Sequence, residues 1–260
     1  MFIIKLGGSV ITNKAKECYF KQDVVDRLAV ELKKANKQVI LIHGAGSFGH
    51  IIAKQYMLNN GFKQKKQIKG FAMTQAMVQH LNSLVISSLH NHDIPAVSIP
   101  PHAILTLSNH KLTRMNYTIF EQYLDLGFTP VSFGDVALDT RLGFSICSGD
   151  LLLQMLAAEF KPEKVIFVLD EDGLYSANPK TNKNATFIEK ATRKDLEKLT
   201  TRVDAHADVT KGMKGKLHTI KQIAREGVNT ILLNGNIHNC LYDTLKGKKV
   251  RSTIVYGDKI

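Results

Sequence analysis

Short apolar runs rich in β-branched residues alternate along this chain with longer stretches whose apolar side chains recur every three or four positions. The short runs fall at 2–4, 38–43, 96–99, 128–133, 165–170, 229–233 and 252–256. Several stop abruptly, at Gly7-Gly8, Gly44, Pro100-Pro101 and Gly134-Asp135. Runs of that kind predict buried strands. Residues 22–36 set Val24, Val25, Leu28, Leu32 and Ala35 at helical spacing, and 71–92 run without Pro or Gly. Together with 150–160 and 213–226 these stretches predict helices. Residues 136–138 and 143–146 predict a hairpin, and the basic, glycine-flanked 61–69 a mobile loop. Strands alternating with helices imply an α/β fold with a largely parallel sheet covered on both faces. No internal repeat is visible, and the weakest boundary, near 158–164, divides the chain into 1–160 and 161–260.

In such sheets ligands sit beyond the carboxyl ends of the strands, which gives weight to the polar residues found there. Lys5 ends the first strand, where a buried ammonium requires an anionic partner. Gly7, Gly8 and Ser9 follow and leave bare amides, so the segment reads either as a phosphate cradle or as a structural turn. Residues 43–50, HGAGSFGH, form a second glycine segment after a strand. There Gly44, Ala45 and Gly46 can bring amides to an oxyanion, Gly49 permits a turn into a helix, and His50 can donate to the same anion. The plainer alternative is a strand–turn–helix with a partly buried histidine.

In Cys147-Ser148-Gly149-Asp150, Ser148 suits a helix N-cap and Asp150 its first turn. Alternatively, Asp150 orients lysines around a phosphate. Residues 169–175, LDEDGLY, put carboxylates at a strand end, fit for Mg²⁺ or nucleotide hydroxyls, although Asp172-Gly173 is also an ordinary turn. Residues 208–216 open a helix with Lys211, Lys214 and Lys216 near its N-terminus, which is unfavourable without an anion. Met73, Ala76, Met77 and Ile146 line an apolar pocket or belong to the core.

Composition narrows the class. At 260 residues the chain suffices for one large domain or two lobes. No apolar run approaches the ~20 residues of a membrane span, and the chain opens in a strand rather than a signal-peptide pattern. Cys18, Cys147 and Cys240 lie far apart without C-x-x-C spacing, which argues against disulfides or zinc and for a reducing cytosol. The formal charge of +12 suits nucleic acid or small polyanions. The lysines are scattered, no aromatics interleave with them, and no nucleic-acid-binding signature occurs, so most read as a solvated surface.

Taken in order, K-L-G-G-S, H-G-A-G-S-F-G-H, S-G-D, D-x-D-G-L-Y and D-V-T-x-G-M-K-x-K resemble the amino acid kinase superfamily over nearly the whole chain. The histidine closing the second glycine segment resembles, within it, the isopentenyl phosphate kinases of the archaeal-type mevalonate route. The resemblance implies an open αβα sandwich with a largely parallel central sheet and two lobes. The lobe 1–160 would hold the acceptor and the dimer contact, and the lobe 161–260 would hold ATP. It further implies ATP with Mg²⁺ as cofactors, isopentenyl phosphate as the small-molecule substrate, a homodimer, and no nucleic acid or membrane partner. By resemblance the catalytic residues are Lys5, Lys14, Asp150 and Lys214. Lys5, Gly7, Gly8, Ser9, Gly46, Asp170, Gly212 and Lys216 would contact the nucleotide. Ala45, Gly46, His50 and Gly149 would contact the acceptor phosphate. Lys211, a bulky cation before Gly212, departs from the pattern. Another acceptor carrying a phosphate, phosphonate or carboxylate, or a non-enzymatic nucleotide-binding role, are the competing readings.

Overall fold

A computed structural model describes residues 1–13, 15–205 and 211–259. The first half runs β1 (Phe2–Leu6), α1 (Gly8–Ile11), α2 (Gln22–Ala35), β2 (Val39–His43), α3 (Gly46–Gln55), α4 (Lys66–His90), β3 (Ala96–Ser98), α5 (Pro101–Ile104), β4 (Leu105–Ser108), β5 (Lys111–Met115), α6 (Thr118–Asp125), β6 (Thr129–Phe133), β7 (Asp135–Asp139), β8 (Gly143–Cys147) and α7 (Gly149–Phe160). Then follow β9 (Lys164–Leu169), β10 (Leu174–Tyr175), β11 (Phe187–Ile188), β12 (Lys190–Ala191), α8 (Arg193–Ala205), α9 (Lys211–Arg225), β13 (Thr230–Asn234), α10 (Cys240–Leu245) and β14 (Ser252–Val255).

Eight strands form the main sheet in the order β12-β14-β13-β9-β1-β2-β6-β3, parallel except between β13 and β14. Every residue of β1 and β2 is buried, which is why these strands read as continuous apolar runs. Side chains alternate between the faces. Ile3, Ile40, Ile42, Val165 and Phe167 pack with α7 and α9 on one face, whereas Phe2, Ile4, Leu6, Leu41, Ile166 and Val168 pack with α2, α4 and α10 on the other. Lys5 shares the face of Ile3, so the alternation aims it at the α7 side. Leu6 is level with His43 and Val168, and His43 with Phe133, so four strands end in one row.

The long strands and helices 22–36, 150–160 and 213–226 lie within two residues of where the apolar pattern puts them. Two regions differ. Residues 66–69 belong to α4 rather than to a loop, and Gln67 explains why. Its buried side-chain amide donates to the carbonyls of Tyr56, Met57 and Gly61 and accepts from the amides of Lys63 and Gln64, fixing the whole turn. The 136–146 hairpin is present, but it belongs to a four-stranded sheet, β5-β4-β7-β8. Half-exposed and polar, β5 carries no apolar period to reveal it. The three cysteines are unpaired thiols. Among the described residues no helix is long and apolar enough to cross a membrane.

Candidate active site

Lys5 is 7% exposed, and its Nζ is ion-paired with the carboxylate of Asp150. Asp150 stands in the first turn of α7, which Ser148 caps by accepting the Leu151 amide at 3.1 Å. A Cβ on Gly149 would lie 3.2 Å from both Lys5 Cε and the His43 carbonyl, so glycine lets α7 begin this close to the lysine. Lys216 reaches the same place from α9. Its Nζ lies 5.5 Å from the Phe167 ring centroid, and Lys5 Nζ lies 5.9 Å from that ring. Burial tends to raise the Asp150 pKa, but the charges of Lys5 and Lys216 and the hydrogen bond from Lys5 outweigh it and hold the carboxyl below its ordinary value. Burial first, and then the repulsion of Lys5, lower the pKa of Lys216 against the pull of Asp150 and Asp170.

Around these charges the strand ends supply amides. The Gly7 amide donates to the Val168 carbonyl and the Gly44 amide to the Leu6 carbonyl, which fixes both loops to the sheet. Those of Gly8, Ser9, Ala45 and Gly46 have no acceptor among the described residues and remain available to an oxyanion. The loops pass backbone on backbone, since a Cβ on Gly8 would lie 2.8 Å from the Gly46 nitrogen. Ser9 Oγ donates to Asp170 at 2.9 Å. His50 is exposed on the second turn of α3, and its charge is among those that lower the pKa of Asp150. One cleft of about 740 Å³ gathers Lys5, Gly7, Gly8, Ser9, Ala45, Gly46, His50, Gly149, Asp150, Asp170 and Lys216.

Residues 1–234 match the Amino acid kinase family. The chain belongs to that family. A relative named isopentenyl phosphate kinase, from Methanothermobacter thermautotrophicus, is 36% identical, with 99% of each chain covered. Among solved structures, one described as isopentenyl phosphate kinase superposes with a TM-score of 0.87 at 33% identity, covering 98% of this chain and 99% of the other. A Thermoplasma acidophilum isopentenyl phosphate kinase product complex gives 0.83 at 28% identity, covering 98% and 99%.

Against the sequence reading of this amino acid kinase, four placements change. Lys214 is exposed on α9 and does not line the cleft; Lys216, two residues on and so roughly half a turn around the helix, does. Gly49 lies within α3 rather than at a turn. Its bare Cα admits α4, because a Cβ there would lie 2.7 Å from Val78 Cγ1. Consequently Thr74 and Val78, not Met73, Ala76 and Met77, present α4 to the cleft, joining Ala53, Val136 and Ile146 in its apolar part. Met73 is exposed and Met77 packs into the core beneath α4. Asp172 serves structure: it accepts from Asn234, Arg251 and Tyr175, while Asp170 and Glu171 face the cleft. Gly212 falls in the first turn of α9, whereas Lys14 and residues 208–210 lie outside the described residues.

His43 belongs to the core. It stacks on Phe133 and bonds Asn82 Oδ1 at 3.1 Å, and burial lowers its pKa so that it stays neutral. Two cleft residues, Ser47 and Lys180, are not singled out by the sequence pattern. Ser47 is 4% exposed and lines the cleft, and among the described residues its hydroxyl has no hydrogen-bond partner. Its signal was its position between the two flagged glycines of HGAGSFGH. Glu171 and Lys180 pair at 2.8 Å, with Lys180 also 3.5 Å from Asp170; Lys180 comes from a polar stretch with no periodicity.

Proposed function

We propose that this chain transfers the γ-phosphoryl group of ATP to isopentenyl phosphate, forming isopentenyl diphosphate and ADP in isoprenoid biosynthesis. The relatives' name supports the reading. The observation that carries it is the cleft itself: two sets of available amides flank the Lys5–Asp150 pair, with an apolar recess beside them. The Gly8 and Ser9 amides suit the donor phosphates, and Ala45, Gly46, Gly149 and His50 the acceptor phosphate. Ala53, Val78, Val136 and Ile146 suit a short hydrocarbon tail.

Phosphoryl transfer demands position and charge neutralisation more than covalent chemistry. A phosphomonoester has its second pKa near ~6 and is a dianionic nucleophile at neutral pH, so no general base is required. Asp150, ionised because two ammoniums face it, then acts as an organiser. It holds Lys5 by an ion pair, and attracts Lys216 by charge, where the transferring phosphoryl group passes.

Among the described residues no three His, Cys, Asp or Glu side chains cluster to hold a metal. Mg²⁺ typically binds through one or two carboxylates together with substrate phosphates. Asp170 and Glu171, at the end of β9 and facing the cleft, fit that role for an ion carried by ATP, which would neutralise phosphate charge. The reading includes acceptor binding over 1–160, ATP over 161–260, a homodimer and a cytoplasmic location.

The test is ATP turnover against isopentenyl phosphate, dimethylallyl phosphate, longer prenyl phosphates, uridylate and acetylglutamate, with isopentenyl phosphate expected to be preferred. His50→Ala should lower kcat/KM for isopentenyl phosphate by about one to two orders of magnitude, the equivalent of roughly 1.5–3 kcal/mol for a hydrogen bond to a charged group. The KM for ATP should stay nearly unchanged, and His50→Gln should recover part of the loss. Equal damage to both substrates would assign His50 a structural role.

A further inference from the structure

We propose that Thr12 is a positioning residue that sets the spacing between the donor and acceptor phosphates. The inference rests on the phosphoryl transfer proposed above. Thr12 follows α1 and is fully buried. Its Oγ1 donates to the Gly8 carbonyl at 2.7 Å and accepts the Ser47 amide at 3.1 Å. One hydroxyl thus joins the loop offering the Gly8 and Ser9 amides to the loop offering those of Ala45 and Gly46. The polarity is fixed, because the carbonyl must accept and the amide must donate. Thr12 is itself anchored: its amide donates to the Gly8 carbonyl at 2.9 Å, and its backbone pairs with Phe20 in an isolated antiparallel bridge. Its Oγ1 and methyl also occupy the space a Cβ on Gly46 would need, so the second loop packs directly against Thr12 through a glycine.

In-line transfer requires reacting atoms about 3–3.5 Å apart, and a displacement near 1 Å can cost on the order of a hundredfold in rate. Thr12 is walled off from solvent and holds loop backbone on both sides. Its influence therefore falls on the geometry between two bound substrates rather than on the affinity of either. Ser47 offers the contrast within the same bond pair: its amide serves Thr12, whereas its hydroxyl, unpartnered among the described residues, lines the cleft.

Thr12→Val keeps the shape and removes both hydrogen bonds. It should lower kcat by about 10- to 100-fold, with KM for ATP and for the acceptor each within about threefold of wild type. Thr12→Ser, which keeps the hydroxyl, should restore kcat to within about threefold. Ser47→Ala should instead raise the acceptor KM about tenfold and spare kcat. Should Thr12→Val fail to fold, as judged by its urea-unfolding curve, Thr12→Ala and Thr12→Cys carry the same comparison against Thr12→Ser. Full kcat in the variants lacking the hydroxyl, a change confined to one substrate's KM, or a Thr12→Ser variant as slow as Thr12→Val would each overturn the proposal. A wild type that prefers another acceptor would sink the substrate assignment while leaving this ratio of rates measurable on that acceptor. A wild type that transfers no phosphoryl group would sink both.

Discussion

Lys5→Ala is expected to lower kcat by about a thousandfold or more, while ATP binding by calorimetry weakens by less than roughly tenfold. Lys5 is held at the carboxyl end of the central strand β1 by Asp150, with the available amides of Gly8 and Ser9 beside it. An ammonium in that place meets the largest charge while the phosphoryl group is between donor and acceptor, so its stabilisation falls mainly on the transition state. Lys5→Arg should recover little, because the planar guanidinium does not replace a point charge on a strand this closely packed against Gly149. Near-normal turnover in Lys5→Ala would remove the first strand end from the chemistry.

Asp150→Asn should cost about two to three orders of magnitude in kcat, by a different route. The amide keeps the shape but leaves Lys5 and Lys216, both near the Phe167 ring, without their shared counter-charge. Lys216, already depressed by burial and by Lys5, should lose its proton more readily, so the alkaline limb of the kcat profile should move to lower pH. The acid side separates organiser from base. A base role would give the wild type an acid limb set by this carboxyl, which the variant lacks, whereas an organiser leaves the acid limb of kcat/KM to the acceptor phosphate, with its second pKa near ~6, in both proteins. The stability linkage runs the same way. Because the folded-state pKa of Asp150 is depressed, its contribution is present above the ordinary carboxylate value of about 4 and is lost as pH falls through the lower folded value. Acid unfolding of Asp150→Asn, followed by circular dichroism, should therefore show a shallower fall over that range than wild type.

The main sheet was legible because buried parallel strands leave uninterrupted apolar runs, as at 39–43 and 164–169. The strand-end chemistry was legible for a related reason: Lys5 is conspicuous only because its neighbours are apolar. What escaped had no such contrast. β5 has only Leu112 and Met115 as apolar positions, three apart and so without a strand's period, and α6 and α10 are too short to show many turns of a pattern. The register of α4 towards the cleft turned on Gly49 meeting Val78, a contact between helices that no local spacing encodes. Thr12 and Ser47 were hidden for the same reason, since their partners lie 35 residues apart along the chain.

The main sheet also limits how this enzyme can move. It passes beneath the cleft unbroken, with β1 hydrogen-bonded to β2 on one side and to β9 on the other. A hinge in that floor would have to break ladder bonds at its most buried strand. Closure around substrates therefore belongs to the segments above the sheet, and the floor should behave as one cooperative unit. In deuterium-exchange measurements, the amides of β1, β2, β9 and β13 should exchange together, only on global unfolding, and with the same pattern whether or not substrates are bound. Protection that appears on ligand binding should be confined to the cleft loops. A substrate-dependent change within β1 itself would mean that the floor flexes.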